Sequence, residues 1–229
     1  MKQVSLSEQA YDCIKQQIVS LKLPPGSVIN EAGLQEELGL GRTPIREAMK
    51  RLSLEKLVVI MPRRGMFVSE IGIRDLQQLF EMRLPLESLA ARLAAERGTD
   101  EHWVRMNEVL SKLPEPGSNN EALITIDKSC HEIIYEAADN EFLRDTLITH
   151  YALSLRLWYY FLSGLSDMRE ALLEHKNILH SLEAKDGDLA ARLMERHIGA
   201  FQEQIQLVMF GSAVPGDVFG RDVLLTGEG

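Results

Sequence analysis

Apolar residues Tyr11, Ile14, Ile18 and Leu21 recur at helical spacing near the amino terminus, and Pro24-Pro25-Gly26 stops that segment. A brief strand-like stretch, Ser27-Val28-Ile29, follows. Asn30 or Glu31 opens a second helix carrying Leu34 and Leu38, which Gly39-Leu40-Gly41 ends. Thr43 is placed to cap a third helix, with Pro44 in its first turn, where a missing N–H costs nothing. Ile45, Ala48, Met49 and Leu52 form the apolar stripe of that helix, and at about 100° per residue Thr43, Arg46 and Lys50 share its opposite face. Val58–Met61 and Met66–Val68 read as two short strands around the basic loop Pro62-Arg63-Arg64-Gly65. Helix, tight turn, helix with a basic outer face, then hairpin: this order predicts a winged helix-turn-helix over residues 1–70.

Beyond a linker at Ser69–Gly72 the pattern is helical nearly throughout. Segments near 73–97, 99–113, 119–138, 140–165, 167–185 and 188–209 are separated by Gly98, Pro114-Glu115-Pro116-Gly117, Asp139-Asn140, Gly164 and Asp186-Gly187. Six Leu- and Ala-rich helices without an alternating strand predict an all-α bundle over 71–210. The fold class is therefore mainly α, a winged helix-turn-helix followed by a six-helix bundle, with a glycine-rich tail at 211–229 in which Val223-Leu224-Leu225 could dock. No period of 20–50 residues repeats, which argues against a solenoid.

Charge sharpens this division. The chain of 229 residues carries a net charge of −9, which taken whole argues against a nucleic-acid partner. Residues 1–70, however, hold ten Lys and Arg against eight Asp and Glu, and residues 71–229 hold fifteen against twenty-six. The basic residues cluster at Arg42, Arg46, Lys50, Arg51, Lys56, Arg63 and Arg64, so a polyanion-binding module is joined to an acidic body. A helix fits the DNA major groove, where Arg can hold guanine O6 and N7 with two hydrogen bonds. Arg63 and Arg64 on the loop would meet phosphates or the minor groove. No apolar run approaches the ~18 residues of a membrane span. The polar, acid-bearing start is not a secretory signal, and two distant cysteines outside any C-x-x-C fit a reducing cytoplasm.

The bundle helices carry polar residues where apolar ones belong. Asp127 and His131 lie four apart beside the stripe of Leu123, Ile126, Cys130, Ile133 and Ile134. His175 sits at the centre of a stripe made by Leu172, Ile178, Leu179 and Leu182. His197 is central to one made by Leu193, Phe201 and Val208. Burying one carboxylate and three imidazoles without partners costs several kcal/mol, and a divalent cation would satisfy all four. That donor set suits zinc, nickel, manganese or iron without choosing among them. In an octahedral metal two positions would stay open for a small carboxylate. Cys130 reads as packing, His180 is turned about 140° from His175 around the helix, and His102 and His150 have no evident partners. Arg83 and Glu87, four apart, interrupt the inner face set by Leu76, Leu79, Phe80, Leu86, Ala90 and Ala94. They read either as a buried ion pair or, through Arg83, as a fixed cationic fork for an organic acid. Arg156, in the apolar run Leu153–Leu162, is a second residue of that kind.

The run Leu34-Gln-Glu-Glu-Leu-Gly-Leu-Gly-Arg-Thr-Pro-Ile-Arg-Glu-Ala48, with Leu52, the leading Leu23-Pro-Pro-Gly26 and the Pro-Arg-Arg-Gly wing, resembles the GntR family of bacterial regulators. The resemblance implies that Arg42, Thr43 and Arg46 contact operator DNA and that Gly65 at the wing tip enters the minor groove. Gly41 stands where a Ser or Thr is common, and Ala32 where some relatives carry a basic contact. Asp127-x-x-x-His131, Glu174-His175 and Arg196-His197, behind Arg83-x-x-x-Glu87, resemble the effector domain of the FadR branch. That likeness implies a divalent metal on Asp127, His131, His175 and His197, and a small organic acid bound with help from a nearby Arg. It further implies a homodimer on a palindromic double-stranded operator, acting as a repressor and not as an enzyme. The alternatives are a metal-dependent hydrolase or isomerase fused to a DNA-binding module, and a structural DNA-binding protein without a ligand.

Overall fold

The computed structural model describes residues 4–114, 120–161 and 168–210. The breaks expected at Glu115-Pro116-Gly117 and Gly164, the end of the helix expected at 140–165, and the glycine-rich tail lie outside the described residues.

Helix α1 (Leu6–Val19) starts where the Ser5 side chain accepts from the Glu8 N–H at 3.1 Å. It buries Tyr11, Ile14 and Ile18, as the spacing requires. It ends two residues short of Leu21, which adopts a left-handed φ of 62° outside the helix. The chain therefore turns before the Pro-Pro-Gly stop, and Leu21 is only half-buried. Helix α2 (Glu31–Leu38) is capped by the Asn30 side chain on Gly33 N–H, and Gly39, at φ 64°, closes it. Helix α3 (Arg42–Leu54) has Gly41, not Thr43, at its N-cap, and no side chain caps it. Pro44 becomes its third residue, still within the first turn whose N–H groups need no helical partner. Thr43 is thereby left on the exposed outer surface of that turn.

Strands β1 (Val58–Met61) and β2 (Gly65–Val68) pair antiparallel, Val58 opposite Val68 and Met61 opposite Gly65. The Ser27–Ile29 stretch lies against β2, with Ile29 N–H donating to Met66 O at 2.8 Å and Val68 N–H to Ser27 O at 2.9 Å. Ile14, Ile18, Ile45, Met49, Leu52, Leu57, Val58 and Val68 fill the winged core.

The bundle comprises α4 (Ile73–Arg97), α5 (Asp100–Ser111), α6 (Asn120–Ala137), α7 (Glu141–Phe161), α8 (Met168–Glu183) and α9 (Gly187–Phe210). Helix α4 packs along α9, α8 on α9, and α5 on α6. The buried stripe of α9 is Ala190, Met194, Ile198, Phe201 and Ile205. His197 and Phe201 are buried as expected, whereas Leu193 is only half-buried and Val208 is 36% exposed, and Met194 and Ile205 are buried in their stead. No helix among the described residues is long and apolar enough to cross a membrane.

The two cores meet. Helix α7 packs on α1, Val19 of α1 belongs to the bundle core, and Leu153 of α7 touches both cores. Gly98, which ends α4, shows how closely the bundle is filled. A Cβ there would lie 2.2 Å from Trp103 Cζ2 and 2.6 Å from the Ala94 carbonyl oxygen. Because one of those atoms is backbone, Gly98→Ala is expected to destabilise the fold by about 1–3 kcal/mol, the usual overpacking range. Urea denaturation followed by tryptophan fluorescence checks this; an unchanged midpoint would mean that the Trp103 ring yields without cost.

Candidate functional site

Asp127 and His131 (α6), His175 (α8) and His197 (α9) are all buried, and one ligand atom from each lies within 4.8 Å of the others. The Nε2 atoms of His131, His175 and His197 stand 3.9, 3.7 and 3.6 Å from the Asp127 carboxylate. Four residues separated by up to seventy positions in sequence thus converge, because each sits on the inward stripe of its own helix.

Two further carboxylates set the direction of the rings. Glu87 Oε2 is 3.1 Å from His131 Nδ1, and Glu174 Oε2 is 3.0 Å from His197 Nδ1. An imidazole whose Nδ1–H is held by a carboxylate presents its Nε2 lone pair on the far side, the arrangement that orients metal-ligating histidines. The donor set and its enclosing carboxylates fit a divalent cation.

The electrostatics agree. Burial alone would raise Asp127, yet the surrounding imidazoles His131, His197 and His175 hold its carboxyl well below the usual range. Burial alone would lower His197, but hydrogen bonds to Asp127 and Glu174 raise it to about 9. The centre therefore favours a positive charge beside Asp127, carried by a proton or by a cation. Tyr151 of α7 donates its hydroxyl hydrogen to Asp127 Oδ2.

Arg83 and Glu87 form the buried ion pair expected as one of two readings. Arg83 Nε and Nη2 donate to Glu87 Oε1 at 3.1 and 2.5 Å, and Nη1 donates to Ser154 Oγ at 2.7 Å. Tyr135 donates to the same Glu87 oxygen at 2.7 Å. Burial pushes Glu87 upward, but Arg83, His131 and Tyr135 together bring it down to about 2. Arg83 is thus one carboxylate away from the histidine cluster. Arg156 is placed differently. Its guanidinium donates to the Ser69 carbonyl at the junction of wing and bundle, and none of its described contacts is with Asp127 or the histidines.

Of the other sulfur and imidazole groups, Cys130 is buried as packing and stands outside the cluster. His102 Nδ1 accepts from the Thr99 N–H at 3.1 Å at the start of α5. His180 Nδ1 bonds the Lys176 carbonyl at 2.7 Å. Burial and nearby Lys56 lower His150, on the α7 side of the junction between the cores.

On the winged unit, Arg42, Thr43, Arg46 and Lys50 are exposed on the first turns of α3, and Arg63, Arg64 and Gly65 are exposed at the hairpin tip. Arg63 and Gly65 take φ values of 63° and 107°, so the tip needs a residue free of a Cβ at Gly65. Two separate faces result, one basic and external, one buried and metal-like.

Comparison with known proteins matches residues 6–68 to the bacterial regulatory proteins of the gntR family and residues 78–200 to the FCD domain. The chain belongs to the GntR family. The HTH-type transcriptional repressor RspR of Escherichia coli (strain K12) is 24% identical over 205 residues, covering 89% of this chain and 90% of that protein. The uncharacterized HTH-type transcriptional regulator YieP of the same strain is 31% identical over 212 residues, covering 82% and 90%. The solved structure of E. coli McbR/YncC superposes with a TM-score of 0.79 at 25% identity, covering 90% of this chain and 98% of that one. This GntR-family regulator is a DNA-binding transcription factor of the FCD type, and the enzyme alternative falls.

No pattern in the sequence marks Tyr151, Tyr135 or Ser154 as site residues, and Glu31 and Glu174 stand out only as a helix start and as the neighbour of His175. Tyr151 and Tyr135 sit on apolar stripes and pass for packing, although a buried hydroxyl needs a partner. Glu174 precedes His175 on the outer side of α8 and reaches His197 only because α9 lies alongside.

Proposed function

We propose that this GntR-family chain is a ligand-responsive repressor. In this reading residues 1–70 bind a palindromic DNA operator, residues 71–210 sense a small organic acid, and the protein works as a homodimer in the cytoplasm. Arg42, Thr43, Arg46 and Lys50 read the major groove, while Arg63, Arg64 and Gly65 dock the wing. Asp127, His131, His175 and His197 hold a divalent cation. When bound, the cation supplies positive charge and open coordination positions for a carboxylate. Arg83 supplies the second, organic cation. It takes precedence over Arg156 because it adjoins the histidine cluster through Glu87, whereas Arg156 ties the linker at Ser69.

The observation that carries this reading is the convergence of one carboxylate and three imidazoles inside a bundle packed against a winged unit. Helix α7 offers the route between them. Tyr151 and Ser154 contact the site, while Leu153 and Arg156, in the same two turns, contact the winged core and the linker. A ligand that draws on Arg83 or Asp127 alters the partners of α7, and coupling follows if it prefers one arrangement.

The test is a titration of small mono- and dicarboxylates against manganese-loaded protein held on a duplex selected from a random pool. At least one acid is expected to weaken binding by about 5–150-fold, the usual span of coupling energies. That response should vanish in His175→Ala/His197→Ala. Release of DNA that persists in the double variant would remove the metal centre from the mechanism.

A further inference from the structure

The DNA-facing arginines are not free-standing. Arg46 Nε and Nη2 donate to the two oxygens of Glu31 at 3.0 and 3.4 Å, and Arg42 Nε lies 3.9 Å from the same carboxylate. Glu31 is the first residue of α2, just past the Asn30 cap, and is only 25% exposed. Arg46 and Arg42 are 52% and 68% exposed and sit one turn apart at the start of α3. The carboxylate at one end of α2 therefore grips the arginines of the recognition helix from the side.

The guanidinium is a planar fork with two usable edges. Glu31 occupies the Nε–Nη2 edge, so the end-on Nη1–Nη2 edge keeps N–H groups that Glu31 does not use. That edge matches guanine O6 and N7. A fixed side chain also loses less freedom on docking than a loose one. The same carboxylate has an opposite effect on phosphate. Non-specific binding depends on cations that displace counterions from the backbone. An arginine already neutralised by Glu31 contributes less to it, and Glu31 itself repels phosphate.

We propose that Glu31 is a specificity-determining positioning residue, which orients Arg46 end-on toward a base while suppressing sequence-independent binding by Arg46 and Arg42. The inference rests on the reading of Arg46 as a base-contacting residue. It goes beyond that reading by assigning the discrimination between operator and bulk DNA to an acidic residue that need not touch DNA at all.

The experiment uses the full-length chain, with wild-type, Glu31→Gln, Glu31→Ala, Arg46→Ala and Glu31→Gln/Arg46→Ala proteins. Each is titrated against the duplex selected by wild type and against a scrambled duplex of equal length, over a series of salt concentrations. Circular dichroism melts confirm that the variants are folded, as an exposed ion pair at a helix start predicts. Both Glu31 variants should bind the scrambled duplex more tightly, with the salt slope steeper by roughly one. The ratio of specific to non-specific affinity should fall by about tenfold, comparable to a lost base contact. The double variant should lose no base discrimination beyond that of Arg46→Ala, since the orienting effect has nothing left to orient, yet bind the scrambled duplex more tightly than Arg46→Ala because Arg42 and the backbone no longer face the Glu31 charge. If Arg46→Ala leaves the ratio at the wild-type value, the base-reading role of Arg46 fails. If Arg46→Ala lowers the ratio but both Glu31 variants keep the wild-type ratio and slope, the Glu31 inference alone is overturned.

Discussion

Glu87→Ala is expected to destabilise the protein by about 3–5 kcal/mol, the range for removing one partner of a buried ion pair. The side chain is fully buried and its two oxygens serve four donors: Arg83 Nε, Arg83 Nη2, the Tyr135 hydroxyl and His131 Nδ1. Removing it leaves the Arg83 guanidinium without its counter-charge in the middle of α4, and the hydrogen bond to Ser154 does not supply a negative charge. At a usual 2–4 °C per kcal/mol for a chain of this size, the melting temperature should drop by roughly 6–20 °C. Arg83→Met/Glu87→Leu should recover a large part of that loss, because removing both charges is far less costly than stranding one. The recovery stays incomplete, since Tyr135 and His131 lose the carboxylate they share and keep only each other, 3.4 Å apart. Thermal melts by circular dichroism decide the matter: a loss under about 1 kcal/mol for Glu87→Ala is what a solvent-exposed pair would give, and would show that water enters this network.

The distribution of what was legible in the sequence follows from the range of each interaction. Winged helices, wing and bundle helices obey local rules, so the caps at Asn30 and Gly39 and the breaks at Gly98 and Asp186-Gly187 fall where the pattern puts them. Local rules also mislead locally. Thr43 is a good capping residue, yet α3 begins at Arg42 because Gly41 takes the extended cap conformation and Pro44 tolerates any place in the first turn. The buried face of α9 slips from Leu193 and Val208 to Met194 and Ile205, since its neighbours α4 and α8 decide which side is inside. The inward positions of Asp127, His131, His175 and His197 were readable because a polar residue on an apolar stripe violates the pattern. Their orienting partners were not. Glu87 reaches across 44 residues to His131, and Glu31 across 15 to Arg46, and no periodicity encodes which carboxylate turns toward which ring or guanidinium.

Asp127→Asn should abolish divalent-metal binding while leaving the bundle assembled. Asp127 faces all three Nε2 atoms, so it is the one residue whose loss removes both a donor and the negative charge that holds the cluster together. Asparagine keeps the side-chain shape and an oxygen able to accept from Tyr151. Wild-type protein treated with chelator and then given zinc, nickel or manganese at about a hundredfold excess over its Kd should gain about 2.7 kcal/mol of stability, because the ion binds the folded state alone. That corresponds to a rise of roughly 5–11 °C in melting temperature. The variant should show no rise, and elemental analysis after dialysis should find one ion per wild-type chain against none in the variant. The direction of the effect separates a metal centre from a proton-filled one. Without an ion, hydrogen bonds to Asp127 and Glu174 raise His197 against the effect of burial, which favours a proton on its ring. A cation must then displace that proton and bind neutral imidazoles, which is worthwhile only if all four donors converge on it. Equal melting shifts in wild type and variant would place the metal on the surface and leave the buried cluster as an imidazolium–carboxylate core, with Arg83 alone to receive an acid.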